Sequence, residues 1–298
     1  MRRALETCIL ITCVVSGCAR EESSASPRRS RTGPAKRIIA LAPNAAEIIC
    51  GLGACDALVG VSRFCDYPPE IDHLPKIGGL RDPDLEVVLS LDPDLFIFRG
   101  NSPALEQLCR DHDIHIYDDP TETLGDIYRT VAELGRLVGR EVEAERMIAD
   151  VQTTLAEIVS AVADQPRVRV LFVVWRSADT LTNVMTTGRD TFLNELIDIA
   201  GGRNVFGTMD VRYPTVSLEE IIAAAPEVIV DVTGGQELSP VQKASLLAQW
   251  RKLGPIPAVE NGRIHFVTDS YITIPSQRVT LAARLLLAML HPEIAASD

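Results

Sequence analysis

Glu86 and Glu219 stand 133 residues apart in two copies of one fourteen-residue phrase. Leu85 to Phe98 returns as Leu218 to Asp231 with no gap, so that Pro93 returns as Pro226. Each copy reads as a short amphipathic helix that opens on an acidic residue, stops before proline and runs into a buried apolar strand. A carboxylate at a helix start is stabilised by about 0.3–1 kcal/mol. Two separated, exposed carboxylates can also orient a cationic partner and raise the encounter rate. The duplication therefore predicts two equivalent lobes, each presenting one glutamate, with something held between them.

The other reactive side chains do not assemble into a catalytic signature. The chain has no GxSxG elbow, HExxH or Walker phosphate loop. Gly51-Leu52-Gly53-Ala54-Cys55-Asp56 half-matches GxGxxG but follows a helical pattern, so it reads as a helix-terminating turn. Asp111-His112-Asp113-Ile114-His115 lies where a helix gives way to a strand and reads as solvated surface. Of seven cysteines, Cys50, Cys55, Cys65 and Cys109 lie in the body of the chain. Four cysteines allow three disulfide connectivities; Cys50 and Cys55 are nearest in sequence, but spacing does not decide the pairing. Neither these cysteines nor the five histidines have zinc-site spacing, and no cofactor or metal ion is called for.

A chain of 298 residues, 46% hydrophobic, can bury a large core, and a net charge of −12 argues against a nucleic-acid partner. Arg2 and Arg3, the apolar run from Leu10 to Val15 and the stretch Val15-Ser16-Gly17-Cys18 resemble a bacterial lipoprotein signal. Processing would remove residues 1–17 and leave Cys18 acylated, anchoring the chain to a membrane without spanning it. Residues 18–36, rich in Ser, Arg, Glu and Pro, read as a flexible tether.

From Arg37 the pattern alternates strand and helix, which favours parallel sheets covered on both faces. The expected elements are strands 37–41, 58–61, 95–98 and 114–117, with helices 44–51 (capped by Asn44), 84–91, 104–111 and 123–138. Residues 141–163 contain no Gly or Pro and carry a helical apolar repeat, predicting a rod of roughly 35 Å between the halves. Beyond it, strands are expected at 169–174, 228–232 and 264–267, and helices at 190–200, 217–225, 240–252 and 276–290. The predicted organisation is an N-terminal α/β lobe over 37–140, a linking helix over 141–164 and a C-terminal α/β lobe over 165–298. These are two Rossmann-like lobes on one long rigid helix, and ligands of such sheets gather beyond the carboxyl ends of the strands. Two such ends facing each other make a cleft.

The lipobox, the phrase Asp66-Tyr67-Pro68-Pro69, the two Leu-Glu…Pro-Asp/Glu units and the long middle helix resemble class III substrate-binding proteins of bacterial ABC importers. Gly188, the run Phe192-Leu193-Asn194-Glu195-Leu196 and Gly201-Gly202-Arg203-Asn204-Val205 resemble the second-lobe signature of that family. The resemblance runs from Arg37 to the C-terminus and implies a receptor for cobalamin, a ferric siderophore or haem. It implies that Glu86 and Glu219 dock onto arginines of a permease dimer served by an ATPase, and that the receptor is a monomer. Phe64, Tyr213 and Leu80 match aromatic pocket positions of cobalamin-binding relatives, although leucine at 80 and tyrosine at 213 depart from the tryptophans there. Arg99, Trp175, Met185, Asp269 and Tyr271 occupy further rim positions. A corrinoid suits apolar and aromatic walls. An anionic ferric chelate would instead use Arg63, Arg81, Arg99, Arg176, Arg189 and Arg212. A membrane-tethered α/β enzyme acting on a chelate, and a binding domain that feeds a sensor, are the readings from other classes.

Overall fold

A computed structural model describes residues 33–100, 102–177, 180–235 and 237–296. The expected signal segment, Cys18 and nearly all of the tether lie outside the described residues. The first sheet is built from β1 (Ile38–Ala40), α1 (Pro43–Gly51), β2 (Leu58–Val61), α2 (Leu85–Ser90), β3 (Leu95–Phe98), α3 (Pro103–Asp111), β4 (His115–Asp118) and α4 (Leu124–Val138). Its strands are parallel in the order β2-β1-β3-β4. There follows α5 (Glu141–Ala161), 21 residues or roughly 31 Å at 1.5 Å per residue.

The second sheet draws on β5 (Val168–Trp175), β6 (Val184–Thr186), α6 (Phe192–Ile199), β7 (Gly202–Asn204), β8 (Thr215–Val216), α7 (Leu218–Ala224) and β9 (Val228–Val232). It continues with α8 (Pro240–Lys252), α9 (Pro257–Glu260), β10 (Ile264–Val267), α10 (Val279–Leu290) and α11 (Pro292–Ala295). The order is β10-β9-β5-β6-β8, with β7 beside β5. The pairs β5–β6 and β6–β8 are antiparallel and the others parallel.

The repeated phrase folds the same way twice. β3 lies beside β1 and is flanked by β4, as β9 lies beside β5 and is flanked by β10. β1, β3 and β9 are buried along their whole length, which is why they read as apolar runs, whereas the edge strands β4 and β10 are partly exposed. Ile38 and Ala40 face one core while Ile39 and Leu41 face another, as the two-residue period of a strand requires. The largest core runs from Ile48, Ile49 and Leu134 through Val151, Leu155 and Ile158 of α5 to Phe172, Leu196 and Leu286. One face of the middle helix thus joins apolar packing shared with both halves, while Val142 and Val159 on its other side are exposed.

Several local expectations differ from the structure. Asn44 is not a cap: Ala42 holds that position, Pro43 opens the helix, and the buried Asn44 amide donates to Asp119 Oδ2 at 2.6 Å. Proline supplies a helix start without a side-chain cap because its missing N–H is one the first turn leaves unpaired anyway. The helix expected from Ser276 begins at Val279, because Ser276 is held by Glu47. The short strands β6, β7 and β8 were not expected, since two or three residues give no periodicity. Cys50 and Cys55 form a disulfide, while Cys65 and Cys109 are buried free thiols. The disulfide closes a short loop at the end of α1, so loop-closure entropy gives it about 2 kcal/mol. The variant C50A/C55A should lose a few degrees of Tm and keep its fold by circular dichroism.

Candidate ligand-binding site

Every residue singled out for the cleft from the sequence lies beyond a strand's carboxyl end or on the β6–β8 extension. Phe64 and Leu80 lie in the long loop after β2, and Arg99 directly follows β3. Trp175 ends β5 and is paired in register with Met185 on β6. Tyr213 precedes β8, while Asp269 and Tyr271 follow β10. Phe64 is 53% exposed, Leu80 47% and Trp175 52%, so three large apolar side chains on two lobes lack a core of their own. Side chains of this size and exposure beyond the strand ends are the apolar surface a ligand held there would cover.

Local chemistry holds these loops in place. Arg63 pairs with Asp82 at 2.5 Å and lies 5.8 Å from the Phe64 ring centroid, joining the two ends of the loop that carries Leu80. In the second lobe, Gly188 must be glycine because a Cβ there would strike the Val211 carbonyl. Its N–H donates to Arg212 O at 2.6 Å. Asn204 fixes the same region by donating to Thr187 O at 2.7 Å and Asn194 Oδ1 at 2.9 Å. Gly188, Asn194 and Asn204 of the second-lobe signature therefore position Val211, Arg212 and Tyr213.

Two straps join the lobes. In the first, Glu122, between β4 and α4, accepts from the Phe192 N–H through its carbonyl at 2.6 Å, and the Leu124 N–H donates to Glu195 Oε2 at 2.6 Å. The Glu122 carboxylate pairs with Arg99 and lies 4.0 Å from Arg212. Burial, with the charge of Glu122 next, pushes the Tyr213 phenol up to about 12. In the second strap, Glu47 of α1, 1% exposed, pairs with Arg278 just before α10 and accepts from Ser276 Oγ at 2.5 Å. The Arg278 guanidinium lies 3.9 Å from the centroid of the Tyr67 ring and 5.6 Å from that of Tyr271. The structure thus brings Arg99 and Tyr213 together through Glu122, and Tyr67 and Tyr271 through Arg278.

Most of the cleft arginines are compensated within the chain. Arg176 is buried against Asp231 at 3.0 Å, and Trp250 Nε1 donates to the same carboxylate at 3.2 Å. Burial pushes the Asp231 carboxyl up, against the pull of Arg176. Arg189 lies 2.9 Å from Asp210 and 3.5 Å from Asp190. Among the described residues, Arg81 alone of the six arginines has no carboxylate within ion-pair distance.

Glu86 and Glu219 are both exposed, and both occupy the second residue of their helix. Neither caps it. Asp84 accepts from the Glu86 and Val87 N–H groups, whereas Ser217 and Glu220 form the capping box of α7. Helices that connect parallel strands start at the carboxyl ends of those strands, so both glutamates lie at the ligand-facing ends of their sheets.

Tyr67, Val211, Glu122 and the Glu47–Arg278 pair escaped the reading of the sequence as site residues. Tyr67 was within reach, being part of the Asp-Tyr-Pro-Pro phrase. Glu122 had only its place after a strand as a signal. Glu47 and Arg278 meet across 231 residues of sequence, with no local pattern to join them.

A family model described as periplasmic binding protein matches residues 38–271. The vitamin B12-binding protein of Vibrio parahaemolyticus is 28% identical over 247 residues, covering 82% of this chain and 86% of that one. Its counterpart in Pectobacterium carotovorum is 27% identical over 258 residues, covering 86% and 88%. Among solved structures, the periplasmic vitamin B12 binding protein of Vibrio cholerae superposes with a TM-score of 0.72 at 26% identity, covering 89% of this chain and 99% of that one. The periplasmic haem-binding protein of Roseiflexus gives a TM-score of 0.72 at 26% identity, covering 88% and 100%. Two lobes of repeated topology, a helix packed into both and a family match over most of the chain agree: this chain belongs to the periplasmic binding protein family, as an exported class III substrate-binding receptor of an ABC importer.

Proposed function

We propose that the receptor captures a cobalamin-like corrinoid between its lobes and presents it unchanged to the permease, docking through Glu86 and Glu219. It acts as a monomer held at the membrane by a lipid on Cys18, and residues 37–140 and 165–298 serve as the two lobes about the 141–164 linker. The observation that carries the ligand assignment is the pairing of exposed apolar side chains, Phe64, Tyr67, Leu80, Trp175 and Val211, with arginines that already have carboxylate partners. A broad, largely uncharged ring system covers such a surface, whereas an anionic chelate would need cations to spare. The vitamin B12-binding relatives support the same reading. Binding without chemistry fits a site made of walls and compensated charges.

Titration calorimetry should give one site for cyanocobalamin with a Kd in the micromolar range or tighter. At a hundredfold excess over Kd the ligand should stabilise the fold by about 2.7 kcal/mol, read as a rise in Tm. Tighter binding of haemin or of a ferric siderophore would transfer the assignment to the second reading, which the likeness to the Roseiflexus haem-binding protein and the uncompensated Arg81 favour. Recovery of altered ligand after long incubation would overturn the non-enzymatic reading.

A further inference from the structure

The cleft contains a cavity of about 580 Å³ lined by Glu122, Asp190, Asp210, Val211, Arg212 and Tyr213. Its lining carries three carboxylates and one arginine, and Arg99 and Arg189 just outside it complete the charge balance. Glu122 faces Arg99 and Arg212, and Arg189 lies between Asp190 and Asp210. Hydrogen-bonding capacity is left over on both sides of that balance. Glu122 Oε2 is buried with no donor among the described residues, and Arg212 lies 4.0 Å from Oε1, too far for a hydrogen bond. Arg212 is half-exposed and can turn toward a ligand. Burial and its hydrogen bond with Glu122 keep the Tyr213 phenol neutral, so it adds no charge of its own to the cavity.

We infer that this cavity is a carboxamide subsite, which takes a primary amide on the ligand's rim and, through Glu122, rejects a carboxylate in the same place. The inference rests on the corrinoid reading above, because a cobalamin carries its acetamide and propionamide groups around the edge of the ring. A primary amide offers an N–H donor and a carbonyl acceptor without net charge, which matches a balanced cavity with both functions to spare. A carboxylate is nearly the same size but brings a negative charge against three carboxylates whose cations are already shared. Like charges brought together in a partly desolvated site are strongly unfavourable, so discrimination comes from repulsion as well as attraction.

The test compares cyanocobalamin with the separated monocarboxylic acids formed by hydrolysing one of its propionamides, titrated by calorimetry at pH 7.5. The wild-type protein should bind at least one of these acids tenfold or more weakly than cyanocobalamin. Glu122→Gln leaves Arg99 and Arg212 without their counter-charge, so for that acid the preference should shrink at least threefold or invert. Arg212→Ala acts at a half-exposed side chain and shifts the balance the other way, so it should widen the preference; it keeps the test open if Glu122→Gln folds poorly. A merely structural role for Glu122 would weaken both ligands equally and leave their ratio unchanged. Wild-type protein that binds every acid as tightly as cyanocobalamin, or variants that leave the ratio unmoved, overturn the inference while the corrinoid reading stands. Failure of cyanocobalamin to bind the wild type overturns both.

Discussion

Reversing both exposed charges, Glu86→Arg together with Glu219→Arg, should abolish ligand uptake in cells and leave cyanocobalamin affinity within about twofold of wild type by calorimetry. Each glutamate occupies the second residue of a short helix, exposed and free of the capping role that Asp84 and Ser217–Glu220 fill. Neither carboxylate enters an ion pair among the described residues, so reversal breaks no internal contact. The cost to folding is therefore confined to the helix dipole, where a favourable carboxylate gives way to an unfavourable guanidinium, about 0.6–2 kcal/mol per site, too little to unfold the chain. At a permease that presents arginines, each reversal replaces an attraction with a like-charge contact worth several kcal/mol. In the proposed docking the two carboxylates together fix orientation, so a single reversal should leave residual, misregistered transport and the double reversal none. Uptake by the double variant at the wild-type rate would remove docking from the proposed function.

The sheet strands were legible where apolar runs carry their own boundaries. β2, β3, β9 and β10 begin and end close to where composition places them, and Pro240 and Lys252 bracket α8 as expected. Duplication was legible too, because helix, proline and strand recur at one offset, and the fold sets β3 and β9 in equivalent places. What stayed hidden depends on chain segments that meet only in three dimensions. Asn44 looked like a helix cap because its type suits one, but its amide is taken by Asp119, 75 residues away. Glu122 sits in a Thr-Glu-Thr stretch that resembles any helix entry, and its value as a hub comes from Arg99, Arg212 and Phe192. The cleft arginines were visible as a list but not as pairs, and their pairing bears on which ligand the cleft suits.

Breaking the Glu47–Arg278 strap should be the most destabilising single change at the lobe interface. Glu47 is 1% exposed, and the Arg278 side chain is 11% exposed. Two hydrogen bonds from the guanidinium, one from Ser276 Oγ and one from Gln277 Nε2 to the Glu47 carbonyl satisfy this corner. Removing one partner of such a buried pair leaves an uncompensated charge and costs about 3–5 kcal/mol. At roughly 2–4 °C per kcal/mol, Arg278→Met should lower Tm by about 6–20 °C in scanning calorimetry. Glu47→Leu should cost less, since the stranded guanidinium can reach water more readily than the stranded carboxylate. Replacing both, Glu47→Leu with Arg278→Met, should recover much of the loss, because apolar side chains of similar size avoid the desolvation penalty of a buried pair. Stability and binding then separate in Arg278→Lys: an ammonium can still meet the Glu47 carboxylate, but it cannot also lay a flat guanidinium across the Tyr67 ring. That variant should keep most of the Tm and lose roughly tenfold in cyanocobalamin affinity, as Tyr67 and Tyr271 lose the cation that sets them at the cleft wall. A Tm for Arg278→Met within 2 °C of wild type would show that the shared core around α5 holds the lobes without this strap.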